Sequence, residues 1–405
     1  MHSAHDQHDW PTSSRLRDWA ARPRLVSVIY LDYNATAPLL PEVRETTQNI
    51  WSKVWGNPSS SHRVGREAKS AMQEARRHVA NLIGAEIDEV VFTSGATESN
   101  NLAIFSALAD HGSGKIVTTA VEHASVRSPC VWLRNKGALV VEAPVDENGS
   151  LDLDAFARFL PGATLASVIW ANNETGVIFP IEEIAELCAA NRVSFHVDAV
   201  QAVGKLPIDV GGGPKIDYLS LSGHKLGAPK GVGALYVRAG ARLHPMFFGG
   251  DQENTRRPGT ENVLSIVGFG VAAREAARRL SEMDRLTALR DDFELRLLAK
   301  IPGAQINCAG ASRIGNTINI SLPVEDSEGL LMLLDQQGVL ASSGSACHAA
   351  SLDPSHVLLA MGLDRRRAKR SVRFSLGFET TERDLHAAVD IIVATVDRLS
   401  GVTAR

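Results

Sequence analysis

The sequence predicts an α/β fold, with a large domain on a mostly parallel sheet followed by a smaller C-terminal α/β domain. Three observations predict it. Short β-branched runs alternate with helical patterns from Leu31 onward, a long stretch with apolar residues at helical spacing begins near Asn262, and a second set of strand and helix patterns follows it. Such alternation sets parallel strands side by side through right-handed crossovers, with helices on both faces.

Taken in order, residues 1–30 form a polar N-terminal tail in which His2, His5 and His8 recur at every third position. That spacing makes a metal site conceivable, but a terminal segment of this composition buries too little apolar surface to order itself, so a solvated tail is expected and no metal ligand is assigned. The large domain, 31–280, has a strand at EVVFTS (89–94) and a helix from about Glu98; KIVTTA (115–120) precedes a helix from about Ala124. TLASVIWA (164–171) precedes the helix IEEIAELCAANR (181–192), SFHVDAV (194–200) follows, and IDYLSLS and VGALYVR are further strands. Residues 262–301 read as one long helical stretch. The small domain, 281–405, contributes GNTINISL, DSEGLLMLLDQQ, SVRFSLG and a final helix from about Glu382.

Composition narrows the function. The chain has 405 residues, 44% apolar and 22% charged, and its 42 Lys and Arg against 46 Asp and Glu leave a net charge of −4. There is no field to recruit nucleic acid or an anionic membrane, so small-molecule chemistry is the expectation. Cys130, Cys188, Cys308 and Cys347 are scattered without a CxxC pair, which fits a reducing cytoplasm better than a disulfide framework or a zinc site. The longest apolar stretches fall short of a membrane span, and the first residues lack the apolar core of a signal peptide.

Several residues carry chemistry. Lys225 follows a strand in SLSGHKLGAPKGVG, and a lysine fixed at a strand end forms a Schiff base when its ammonium is destabilised. Asp198 ends the strand of FHVDAVQA, with Gln201 near it; a carboxylate so placed keeps the ring nitrogen of pyridoxal phosphate protonated, which lets the ring accept electrons. In TSGATESNN, Gly95 and Ala96 admit close backbone approach, Thr97 offers a hydroxyl, and the following helix turns its free amides toward an anion. Plain capping by Thr97 with Glu98 explains the same residues without a ligand. His123 follows another strand, where its ring is placed to stack on a cofactor or simply to serve the fold. Cys347 sits in ASSGSACHAASLDPSHVL among small residues that favour an exposed, mobile loop, the setting of a reactive thiol; His348 beside it lowers a thiol pKa where the two touch.

These motifs resemble one family. YLDYNATAP, WGNPSSSHRVGREA, FTSGATESNNLAI, ANNETGVIFPI, HVDAVQAVGKLPID, SGHKLGAPKGVGALYVR, RRPGTENV, GSAC, DPSHVL and VRFSLG, in that order, are similar to the cysteine desulfurases of the class V aminotransferase group. The resemblance implies the fold-type I architecture of pyridoxal-phosphate enzymes. It also implies that Lys225 holds pyridoxal 5'-phosphate, Asp198 pairs with the ring nitrogen, Gln201 contacts the phenolic oxygen, and His123 stacks on the ring. Ala96, Thr97, Ser222 and His224 would hold the phosphate, with Thr260 reaching over from the other subunit of a homodimer. Asn34 and Asn173 would touch substrate, Asn173 the cofactor as well, and Arg373 would clamp the substrate carboxylate. Cys347 would take the sulfur of L-cysteine as a persulfide and pass it to an acceptor such as an iron–sulfur scaffold protein.

The chain departs from that pattern at Asp251, where the family often has a third glycine, and at Gly227 and Ala228, where many members have an aromatic. The RRPGTEN and ACH spellings are also similar to animal selenocysteine lyases, so selenocysteine is an alternative substrate. A non-catalytic sulfur carrier or scaffold component is a reading from another class; intact Lys225, Asp198 and Cys347 argue against it.

Overall fold

A computed structural model of the chain describes residues 28–109, 114–343 and 353–403. His2, His5 and His8 of the tail, and Cys347 with His348, lie outside the described residues.

The first strand, β1 (Ile29–Tyr30), pairs in parallel with Val339–Leu340, and Ile29 and Leu31 pack in the core of the second domain. The first described strand therefore belongs with the small-domain core rather than with the large sheet. The large sheet has seven strands: β2 (Val90–Thr93), β3 (Lys115–Thr119), β4 (Leu139–Ala143), β5 (Leu165–Ile169), β6 (Ser194–Asp198), β7 (Tyr218–Ser222) and β8 (Gly233–Val237), in the order β2-β8-β7-β6-β5-β3-β4. The inner strands β5 and β7 are buried at every position, which explains continuous runs such as LASVI where an exposed face would force alternation. Pairings among β3 to β7 are parallel, whereas β8 runs antiparallel to both β7 and β2. The cause is the connection: between β7 and β8 lies a single 3-10 turn, Gly223–Lys225, and no crossover helix that would return the chain for a parallel pairing.

The helical stretch expected over 262–301 is two helices, Val263–Arg279 and Met283–Lys300, joined by a 3-10 turn at Leu280–Glu282. The break marks the passage between two cores. Ile266, Phe269 and Ala272 of the first helix pack in the large core with Met72, Ala75 and Val79 of helix Arg63–Ile83. Leu286, Phe293 and Leu297 of the second helix pack in the small-domain core, where Phe293 meets Phe374 edge to face at 5.5 Å. That domain carries β9 (Gln305–Ile306), β10 (Thr317–Ser321), β11 (Val339–Leu340), β12 (Ser342–Ser343) and β13 (Ser371–Ser375), of which β12-β13-β10-β9 make an antiparallel sheet.

Two register facts position the site. Ile169 on β5 is level with Asp198 on β6, and Asp198 is level with Ser220 on β7, so the carboxyl ends of the central strands open on one edge. Ligand sites of open α/β sheets form at that edge.

Candidate active site

A cavity of about 640 Å³ lies at this edge, within the range of cofactor-sized pockets. Its walls include Asn34, Ala96, Thr97, His123, Asn173, Asp198, Gln201, Ser222, His224, Lys225 and Arg373, so eleven of the residues chosen from sequence meet around one space. Thr260 does not. It is exposed and lines a neighbouring cavity of about 260 Å³ that shares Ser94, Gly231 and Val232 with the larger one.

Lys225 enters the cavity from the 3-10 turn after β7, and its Nζ donates to the carbonyls of Asn34 (2.6 Å) and Ala35 (2.8 Å). Gly227 makes that turn possible: its φ is +82°, and a Cβ there would stand 2.6 Å from Leu40 Cγ. The glycine that departs from an aromatic pattern is thus demanded by the turn itself.

Asp198 is only 3% exposed, yet no cationic side chain pairs with it among the described residues. Its Oδ2 accepts from Asn100 Nδ2 at 2.7 Å and its Oδ1 from the Val200 amide at 3.1 Å. A buried carboxylate without a countercharge is costly unless a ligand supplies one, and a protonated ring nitrogen is such a charge. Asn100 also donates to Ser125 Oγ at 2.7 Å, and Ser125 Oγ lies 2.7 Å from His123 Nδ1, which accepts the Ser125 amide at 3.1 Å. With Nδ1 an acceptor, the neutral His123 ring carries its proton on Nε2.

The anion-binding end is helix Ala96–Leu108, whose N-cap is Gly95. The helix starts two residues earlier than the pattern indicated, which puts the free amides at Ala96 and Thr97 themselves. Glu98 accepts the Ser94 amide at 2.8 Å and pairs with Arg257 Nε at 2.8 Å, so the capping role falls to Glu98 and leaves the Thr97 hydroxyl to the cavity. A Cβ on Gly233 would stand 2.6 Å from Gly95 Cα, so a glycine on β8 lets this loop lie against the sheet. His224 donates or accepts at Thr36 Oγ1 (3.1 Å); burial, with Lys225 and Lys230 nearby, pushes its pKa down to about 4, so its ring is neutral.

The opposite wall comes from the small domain. Arg373 on β13 is 2% exposed; its Nη2 donates to Asp32 Oδ1 (2.7 Å) and Nη1 to the Asn173 carbonyl (3.1 Å), while its Nε is buried with no partner. The remaining N–H groups are those an incoming carboxylate would take. Asn34 spends its side chain internally: Nδ2 donates to Thr317 Oγ1 (2.8 Å) and Asn173 O (3.2 Å), and Oδ1 accepts from Asn316 Nδ2 (3.1 Å). What Asn34 gives the site is mainly its backbone carbonyl. Asn173, by contrast, makes no side-chain hydrogen bond among the described residues and lines the cavity.

Sequence reasoning missed Asn100, Ser125, Asp32 and Lys205. Asn100 lies one helical turn after Ala96, so i,i+4 spacing from a recognised residue would have found it; Lys205 follows Gln201 by four residues across turns rather than on a helix, and no periodicity marks it. Nothing local marks Asp32 as the partner of Arg373.

The aminotransferase class-V family pattern matches residues 29–387. A cysteine desulfurase of Gluconacetobacter diazotrophicus is 45% identical over 379 residues, covering 92% of this chain and 94% of its own length. The cysteine desulfurase NifS of Azotobacter vinelandii is also 45% identical, covering 93% of this chain and 94% of its own. Among solved structures, a NifS-like protein superposes with a TM-score of 0.86 at 34% identity, over 92% of this chain and all of its own (100%). SspA in complex with cysteine superposes at 0.75 and 34% identity, over 86% of this chain and 98% of its own.

Proposed function

The chain belongs to the class-V aminotransferase family, and on that premise we propose that it is a pyridoxal-phosphate-dependent cysteine desulfurase, converting L-cysteine to L-alanine with transfer of sulfur to Cys347. The observation that carries the reading is the conjunction in one cavity of an amine at a strand end, a buried carboxylate with no cationic partner among the described residues, and a guanidinium with N–H groups to spare. The cavity's volume, Asp198 and the helix N-terminus fit pyridoxal 5'-phosphate as a resident group.

When bound, the cofactor supplies an electron sink for charge developed at the substrate Cα. Every other part belongs to the chain. Lys225 would hold the cofactor covalently and, as a free amine, would move a proton at the substrate Cα from the place where the Asn34 and Ala35 carbonyls receive its Nζ. Asp198 holds the proton on the ring nitrogen, and Asn100 holds Asp198. Ala96, Thr97, Ser222 and His224 receive the phosphate, joined by Thr260 of a second subunit. Gln201 would donate to the ring oxygen, His123 would stack with its proton on Nε2, and Arg373 with Asn173 would fix the substrate carboxylate, while Asn34, expected at the substrate, serves through its carbonyl, which holds Lys225 and Gln201. The thiolate of Cys347 would form a bond to the substrate sulfur as the Cβ–S bond breaks. The pair of that bond stays with the substrate carbons and Cβ gains the proton that the thiol gives up, so alanine leaves and the persulfide keeps the sulfur without an external oxidant.

The persulfide is handed to an acceptor protein, for which an iron–sulfur scaffold is the fitting class. A homodimer is supported by Trp51, Trp55 and Phe248, which are 71%, 72% and 91% exposed, and by Thr260 standing outside its own chain's cavity. A reducing, cytoplasmic setting is supported by Cys130, Cys188 and Cys308, which are buried free thiols. No helix among the described residues is long and apolar enough to cross a membrane.

The test is Cys347→Ala with both candidate substrates. The variant keeps its cofactor yet loses alanine formation from L-cysteine by about 100-fold or more, while selenocysteine, whose weaker carbon bond breaks more readily, still gives alanine. A variant fully active on cysteine overturns the persulfide step, and a parent enzyme active only on selenocysteine assigns the chain to the lyases instead.

A further inference from the structure

Lys225 borders a second, smaller cavity of about 60 Å³, which Lys205, Tyr33, Asn316 and Glu379 also line. Lys205 belongs to this second space and not to the wall of the larger one. Its Nζ donates to Gln201 Oε1 at 2.5 Å and to Asn34 Oδ1 at 3.2 Å. Gln201 in turn donates from Nε2 to the Asn34 carbonyl at 2.9 Å, the same oxygen that receives Lys225 Nζ at 2.6 Å. Four residues thus form one linked group, of which Gln201 and Lys225 face the cofactor cavity and Lys205 stands behind.

Two physical consequences follow. In its ammonium form Lys205 offers only hydrogens, and Gln201 Nε2 is already turned to the Asn34 carbonyl, so the end of the Gln201 amide facing Lys205 is its oxygen. The NH2 end is then fixed, with one hydrogen on the Asn34 carbonyl and one left over. The second consequence is electrostatic. No acid pairs with Lys205 among the described residues: Glu379 is held by Arg279 at 2.7 Å, and burial pushes the Tyr33 phenol up to about 12, leaving it neutral. The charges that face Lys205 are those of Lys225 and Arg373; burial first, and then these two, push its pKa down to about 7.

We propose that Lys205 is a positioning residue, which fixes the amide of Gln201 with its NH2 end toward the cofactor cavity and sets a competing positive charge beside Lys225. This rests on the cofactor reading above. Removing Lys205 frees the amide to turn. It also removes the group that competes with Lys225 for a proton, so the nitrogen of Lys225 keeps its proton to higher pH.

The experiment titrates the visible absorption of the resting holoenzyme, which changes as the nitrogen joining the cofactor to Lys225 gains or loses a proton. In Lys205→Met the midpoint rises by about half to one pH unit, and Lys205→Arg, for which the adjoining cavity gives room, returns it toward the parent value. Lys205→Gln, without the charge, reads the same midpoint if the Met chain does not fold. Cofactor loss on dilution becomes several-fold faster in Lys205→Met and in Gln201→Ala, and no faster in the double variant. An unmoved midpoint, a midpoint still raised in the Arg variant, or additive losses in the double variant each overturn the proposal while leaving the cofactor assignment intact. A parent protein with no cofactor absorption removes both.

Discussion

The two walls of the cavity are built in different ways. On the large-domain side, Asp198, Lys225, His123 and the Gly95–Thr97 turn all stand at strand ends or helix starts; Asp198 is held by Val200 and by Asn100 of helix Ala96–Leu108, and His123 by Ser125, while Lys225 reaches far along the chain, to Asn34 and Ala35. On the small-domain side, Arg373 is fixed by Asp32 and Asn173, 341 and 200 residues away, and Asn34 by Thr317 and Asn316. The difference assigns the labour. A rigid sheet edge holds the cofactor, while groups brought together from both domains hold what must bind and leave. Each wall should therefore be breakable without the other.

The largest effect is expected at Lys225. Lys225→Ala should lower turnover of L-cysteine by about 10³-fold or more, measured as alanine formed per active site. Asp198→Ala comes next: it removes the carboxylate that would pair with the ring nitrogen and leaves Asn100 without its acceptor, with a loss of about 10²–10⁴-fold in kcat and weaker cofactor retention. Arg373→Ala probes the other wall. Losing a charge-assisted fork should weaken substrate binding by on the order of 2–4 kcal/mol, read as a raised KM with cofactor content unchanged. A cofactor loss in that variant would show that the walls are not separable. Asn100→Ala, which acts through Asp198 and Ser125, should cost roughly tenfold.

The smallest effect concerns Glu122, buried beneath the cofactor wall beside His123. Burial raises its pKa to about 8, although Thr119 Oγ1 and the Ile169 amide donate to its Oε1. The folded chain keeps a proton that the unfolded chain releases near its ordinary value of 4.5, so this group's stabilisation is present below pH 4.5 and declines as pH rises to about 8. Glu122→Gln should flatten that slope in denaturant titrations between pH 5 and 8, and an unchanged slope would show that Glu122 is not its source.

The same contrast explains what could be read from the sequence. Strands β2, β3 and β5 to β8 are legible because buried strands write themselves as short apolar runs, and the residues of the cofactor wall follow directly after those runs; β4, with Leu139 and Glu142 exposed, was not legible in this way. The reversal of β8 was hidden, since direction depends on whether the connection contains a crossover, and the strand's own residues do not record it. The break at Leu280–Glu282 was hidden too: both flanking helices are amphipathic, and only the change of core separates them. Asp32 and Lys205 look like ordinary surface charges in the sequence; their meaning comes from partners that folding brings in from elsewhere.

The central claim is that the cofactor is carried on Lys225, and three lysines compete for that role. Lys225 and Lys230 both line the cofactor cavity, and Lys205, its pKa pushed down to about 7 by burial, stands behind Gln201. Borohydride reduction of the holoenzyme followed by peptide mapping decides among them. The account predicts the reduced cofactor on the peptide containing Lys225, with no label in Lys225→Ala; label on Lys205 or Lys230 in the parent protein would contradict it.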